Sequence, residues 1–247
     1  MDKKIFVSSS GIKIKDVEKN IKFLVNNGIK DIELSGGCVF SKNLSKKLIN
    51  LKNKHNLEFI IHNYFPPPKK NFVLNLASCN NDHYNKTVSF YKKTISLCKK
   101  IGVKHYAMHA GFLIDIKTSE LGNKFKKRKL YLREKSISQL IKGYKLLKRF
   151  SRGKVNLYLE NNIVTKKNIK EYGENPLLLT SYSDYLDLKK KFKFNLLLDL
   201  AHLKVSSRTL KKNFLNEVNK FKKYTKYLHI SGNDGFSDLN KTIQNDI

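Results

Sequence analysis

A chain of 247 residues with 40% apolar content is long enough for one large domain with a sizeable core, which excludes a wholly disordered polypeptide. No run of about 18 apolar residues occurs, and the start turns polar at Ser8, so neither a membrane span nor a signal-peptide core is expected. The formal net charge of +30 invites a nucleic-acid reading, but only five of the fifty cationic residues are Arg, the usual residue of bidentate phosphate and base recognition.

The elements alternate between strand and helix, the pattern of a parallel sheet. A strand is predicted over residues 4–9. A helix over 14–27 follows, with Val17, Ile21, Leu24 and Val25 at helical spacing and Gly28 as its stop. The second strand, 31–35, ends in Gly36-Gly37, and a helix over 44–55 leads to the third strand, 57–62. Pro66-Pro67-Pro68 imposes an extended loop. Asp82 is the predicted cap of a long helix ending before Gly102, and 105–109 is the fourth strand. The stretch 110–129 is read as a polar insertion, either a lid or a passive loop. A helix over 130–150, a strand over 155–160, a long loop containing Pro176, a helix over 182–191 and a strand over 194–199 come next. A helix over 213–224 and a strand over 227–231 complete the set, and a short polar tail follows Gly235.

That pattern is an α/β fold, a TIM-type (β/α) barrel of seven visible strands in a single domain, 1–247; such a barrel typically takes about 250 residues. An eighth strand is expected but not found. The sequence therefore predicts either a C-terminal truncation or a gap between the first and seventh strands covered by the tail or a partner.

Five predicted strands end in a metal-capable side chain: His62, His109, Glu160, Asp199 and His229, with His202 three residues after Asp199. In a parallel barrel the carboxyl ends of the strands are where active sites are built. His, Glu and Asp are also the ligands that a divalent ion requires, so Zn or Mn is expected there, with Mg or Co as alternatives. Glu33 ends the second strand, as a ligand for a substrate hydroxyl or as half of an ion pair. Asn63, Asn161 and Lys204 flank the ligand positions; they suit sugar hydroxyls or a phosphate, and loop packing explains them equally well. Cys38, Cys79 and Cys98 are odd in number and widely spaced, as in a reduced cytoplasmic protein. Lysine is spread along the whole chain beside abundant Asn and Ile, as in an AT-rich coding bias. The densest cluster, Lys124 to Lys129 with Arg133, reads either as a polyanion patch or as a solvated face.

At its strand ends the chain resembles the xylose-isomerase-like TIM barrels, the sugar-phosphate isomerases and epimerases to which endonuclease IV is related. The likeness rests on IELSGG (32–37), HNYFPPP (62–68), FVLNLAS (72–78), HAGF (109–112), LENN (159–162), LLLDLAHLKVS (196–206) and LHISGNDGFSDLN (228–240). It looks most similar to barrels encoded with bacterial surface-polysaccharide genes. The resemblance implies Glu160, Asp199 and His229 as metal ligands, with Glu160 also catalytic, and leaves the eighth-strand Glu of that family without a counterpart. Endonuclease IV adds ligands that His62, His109 and His202 match. Its Asp-x-His pair after the seventh strand is replaced here by Asp238-Leu239-Asn240, so Asp238 and Asn240 are expected to meet substrate. The implied activity is a metal-dependent isomerase or epimerase acting on a sugar or sugar phosphate. The alternatives are a Zn-dependent phosphodiesterase on abasic DNA, with nucleic acid as partner, and an incomplete, non-catalytic barrel.

Overall fold

The computed structural model describes residues 4–239 and 241–243. The chain falls into two compact units interleaved in sequence: residues 1–71, 89–108 and 147–157 form the first, and 72–88, 109–146 and 158–247 the second. Among the described residues seven parallel strands follow one another in chain order, separated by helices, as in a TIM-type (β/α) barrel with one strand fewer.

The first unit begins with β1 (Val7–Ser8), shorter than the six residues predicted, and α1 (Val17–Asn26). Asp16 caps α1 by accepting the Lys19 amide at 2.9 Å, and Val17, Ile21 and Leu24 turn one apolar face inward. Then come β2 (Asp31–Leu34), α2 (Leu44–His55) and β3 (Glu58–Ile61), all within a residue of their predicted positions. Val7 lies opposite Ile32, Leu34 opposite Ile61, and Ile61 opposite Tyr106 of β4 (His105–His109). α3 (Asn81–Ile101) precedes β4. Its cap is Asn80, whose side-chain oxygen accepts the His83 amide at 3.0 Å, and not Asp82, which stands in the first turn. Asn156 of β5 (Asn156–Glu160) donates its amide to Lys104 at 2.8 Å, setting β5 beside β4.

In the second unit the Ala110 amide reaches the Glu160 carbonyl at 3.2 Å, continuing that pairing. β5 pairs with β6 (Asn195–Asp199), and β6 with β7 (Thr225–His229). The β6–β7 register slips between Leu196 and Leu197: Leu196 faces Thr225, whereas Leu197 faces Tyr227. That slip brings Asp199 opposite His229 rather than Leu228. Strand side chains alternate between faces, so without it an apolar residue would stand where the histidine does.

The segment 110–129 is not the polar insertion that the sequence suggested. Phe112, Ile114, Ile116 and Phe125 are buried with Val73, Val164 and Leu177 in a core of their own, and Leu130, Ile169 and Tyr172 pack against it. Two further helices were not predicted. One is α5 (Lys166–Tyr172), capped by Thr165 and stopped by Gly173; the other is α7 (Leu200–Thr209), capped by Asp199. The remaining helices are α4 (Arg133–Ser151), α6 (Tyr182–Lys191) and α8 (Phe214–Phe221). After β7 the chain turns back, and Gly232 and Lys241 exchange backbone hydrogen bonds of 2.9 and 2.7 Å in an antiparallel bridge. No helix among the described residues is long and apolar enough to cross a membrane.

Candidate metal centre

Five of the expected residues meet in the second unit, together with Asp238. Glu160 closes β5 with 1% of its side chain exposed, and Asp199 closes β6 at 8%. Around Glu160 stand three imidazoles. His109 Nδ1 is 3.3 Å from Oε2, His229 Nδ1 is 3.4 Å from Oε1, and His202 Nδ1 is 3.6 Å from Oε1. His229 Nδ1 is also 3.8 Å from Asp199 Oδ2. One ligand atom from each of Glu160, Asp199 and His229 lies within 4.8 Å of the others.

The local sequence explains this placement. Each strand delivers its last side chain to the same end of the parallel array. α7 starts immediately after β6, with Asp199 as its N-cap accepting the His202 amide at 2.7 Å. One carboxylate thus terminates a strand, starts a helix and faces the centre, and its capping contact brings His202 back within 4.0 Å of Asp199. His202 Nδ1 is 2.8 Å from the Asn161 carbonyl, which can only accept, so the Nδ1 proton points there and Nε2 faces Asp199 and Asp238. Asp238 Oδ2 lies 3.5 Å from His202 Nε2.

Burial and the charges of the cluster act against one another. Burial pushes the Asp199 carboxyl above its usual range, the His202 and His229 imidazoles oppose this, and Glu160 adds to it. Burial alone would depress His202, but Asp199, Asp238 and Glu160 outweigh it and raise its pKa to about 10. Burial thus sets the direction for Asp199, and the surrounding carboxylates set it for His202. Against its own burial, the Asp238 carboxyl is held below its usual range by His202 and His109. Two buried carboxylates faced by imidazoles are costly unless compensated. The donor set of two carboxylates and an imidazole suits a divalent ion. The residues present therefore fit the ion that the sequence implied.

Two other expected residues, Asn161 and Lys204, lie beside these ligand positions in sequence. Asn161 is fully buried and spends both ends of its amide on Asp199: Oδ1 accepts the Asp199 amide at 2.7 Å, and Nδ2 donates to the Asp199 carbonyl at 3.0 Å. It clamps the end of β6. Lys204 lies on α7, half-buried, and Asn240 falls outside the described residues. In the first unit Glu33 is buried at the end of β2, and His62, just past β3, has Nδ1 3.3 Å from the Ser35 hydroxyl. Asn63 is buried beside it, with Oδ1 accepting the Tyr91 hydroxyl at 3.4 Å.

Sequence reasoning missed two positioning residues. Asn75 accepts the Ala77 and Phe112 amides on Oδ1, while Nδ2 reaches the Phe112 and Ile114 carbonyls and Asp115. Asn162 donates to the Gly111 and Leu178 carbonyls, both at 2.8 Å. Together they tie down the chain where it leaves β4. Gly111 there has φ of +94°, and an added Cβ would meet Ala77 Cβ at 2.8 Å. The only signal in the sequence is the pair of asparagines inside FVLNLAS and LENN.

A family model described as xylose isomerase-like TIM barrel matches residues 22–243. No curated protein matches the chain. Among solved structures, a D-tagatose 3-epimerase-like protein superposes with a TM-score of 0.68 at 15% identity, over 95% of this chain and 78% of that one. A 3-keto-D-glucoside 4-epimerase from E. coli gives 0.63 at 10% identity, over 92% and 78%. Endonuclease IV from Thermus thermophilus gives 0.52 at 14%, over 91% and 74%. At these identities the likeness is one of fold.

Proposed function

The chain belongs to the xylose isomerase-like TIM barrel family, and we propose that within it this protein is a metal-dependent epimerase or isomerase of a sugar or sugar phosphate. The observation that carries the reading is the pair of buried carboxylates, Glu160 and Asp199, facing His109, His202 and His229. Glu160, Asp199 and His229 would hold the divalent ion, with Zn or Mn as the proposed identity. Such an ion, when bound, supplies Lewis-acid polarisation of a carbonyl or hydroxyl oxygen.

The protein's own groups supply the rest. Glu160 presents two oxygens in different surroundings: Oε1 faces His229 and His202, whereas Oε2 faces His109. Oε1 belongs with the ligand group, and Oε2 is the oxygen suited to take a proton from a carbon next to a carbonyl. The His109 imidazole beside Oε2 would receive or return that proton. Asp238 and His202 orient one another, and Lys204, two residues on along α7, is the proposed contact for a substrate phosphate. Cys38, Cys79 and Cys98 are all free, which supports a reducing, cytoplasmic setting.

The test is solvent exchange. With the protein loaded with Mn and incubated with keto-sugars and their phosphates in deuterated water, deuterium should enter one carbon-bound position of at least one substrate. Glu160→Gln should reduce exchange by about two to four orders of magnitude, the usual share of a general base. Exchange at an undiminished rate in Glu160→Gln would remove this mechanism. A second reading, a phosphodiesterase on abasic DNA, is favoured by the charge of +30. Incision of an abasic duplex that depends on both His109 and Glu160 would replace the sugar reading with that one.

A further inference from the structure

The cluster at Lys124 to Lys129 gains a second half in three dimensions. The Phe125 amide donates to Asn168 Oδ1 at 3.0 Å, the Tyr172 hydroxyl donates to the Lys126 carbonyl at 2.6 Å, and Lys124 pairs with Glu171 at 2.5 Å. Phe125 is buried in the same core as Val164, with Ile169 and Tyr172 packed against it. The basic loop is therefore fastened along α5, which carries Lys166, Lys167 and Lys170.

Two of the basic residues are satisfied, Lys124 by Glu171 and Arg128 by Glu120. The lysines that remain exposed are Lys117, Lys126, Lys127 and Lys129 from the loop and Lys166, Lys167 and Lys170 from α5. The carboxylates beside them are Glu171, which pairs with Lys124 and also attracts Lys127, and Glu174 just past α5. Seven ammonium groups on a braced loop and helix repel one another unless a counter-charge is supplied. The loop follows β4 and the helix follows β5, so both leave the strand ends that carry His109 and Glu160.

We propose that this loop and α5 form a binding face for a flexible chain of closely spaced phosphates. Lysine treats phosphate as a point charge, and no unpaired Arg stands among these cations to read bases in bidentate fashion. The ligand class is therefore a phosphodiester or polyphosphate backbone, recognised without regard to what it carries. The proposal does not rest on the sugar chemistry above.

Fluorescence anisotropy with two probes, a single-stranded oligothymidylate and inorganic polyphosphate as competitor, tests it on the whole chain. One variant removes four charges from the face: Lys126→Gln, Lys127→Gln, Lys167→Gln and Lys170→Gln. A control removes four exposed lysines from helices of the first unit: Lys19→Gln, Lys22→Gln, Lys46→Gln and Lys54→Gln. The face variant should lose affinity at least about tenfold for both probes, and its log–log salt slope should flatten by about 0.7 for each phosphate no longer neutralised. The control should stay within about twofold of the parent. Equal losses in the face variant and the control would show diffuse attraction to a basic protein and overturn the proposal. So would binding of the oligonucleotide that polyphosphate fails to compete away. Thermal unfolding of both variants checks that the fold is kept.

Discussion

Asn161 shows how a residue beside a proposed metal ligand can matter without meeting the ion. Its amide satisfies both the amide and the carbonyl of Asp199 in a fully buried site. Asn161→Ala would orphan two buried backbone groups at about 1–3 kcal/mol each. It should lower Tm by several degrees, at about 2–4 °C per kcal/mol for a chain of this size. Metal affinity should fall about 10- to 100-fold, the usual cost of losing a group that orients a ligand. An unchanged Tm and affinity would return Asn161 to the substrate. His202 makes a prediction about pH. Its folded pKa, about 10, lies above its unfolded value. The stability it adds to the metal-free protein is therefore fully present below about pH 6.5 and is lost as pH rises through its folded pKa. Thermal unfolding of the EDTA-treated protein from about pH 6 upward should show that decline, and His202→Gln should flatten it; a decline of equal size in His202→Gln would contradict this. The ligating types at the strand ends could be read from the sequence because ionisable residues are out of place there. The roles of Asn161, Asn75 and Asn162 could not, because amide side chains serve backbone and substrate with the same atoms.

At the scale of elements, β2, α2, β3, β4 and α6 stand within a residue of where periodicity put them. The apolar spacing and the Gly and Pro punctuation sufficed for these. α5 was missed because it is only 7 residues long, and α7 because it starts directly after β6 with no loop between them, although Thr165 and Asp199 are good caps in plain view. The segment 110–129 was misread by composition. Its lysines dominate the count, but Phe112, Ile114, Ile116 and Phe125 decide its packing. Phe125→Ala should cost about 3–5 kcal/mol of local stability and release the loop from α5. Limited proteolysis should then cut between Lys117 and Lys129 well before the parent chain is cut, and equal resistance of variant and parent would show that the loop is held by its ion pairs alone. The slip in the β6–β7 register had no sequence signal at all, yet it decides that His229, not Leu228, faces Asp199.

For the molecule as a whole, chain-order parallel strands place the ionisable ends of β4, β5, β6 and β7 in one unit, where His109, Glu160, Asp199 and His229 converge. A protein of charge +30 can still bring two carboxylates together in a buried site, because Glu160 and Asp199 are faced there by imidazoles rather than by lysines. Two buried carboxylates that need compensation are the physical core of the site. That need should be met by a divalent ion, whose binding displaces protons from the cluster. Metal content by elemental analysis after dialysis against Zn or Mn tests this most directly, on the parent, Glu160→Gln and Asp199→Asn. The parent should hold at least one divalent ion tightly per chain, and both variants should lose it. Equal metal content in all three, or none in the parent, would contradict this.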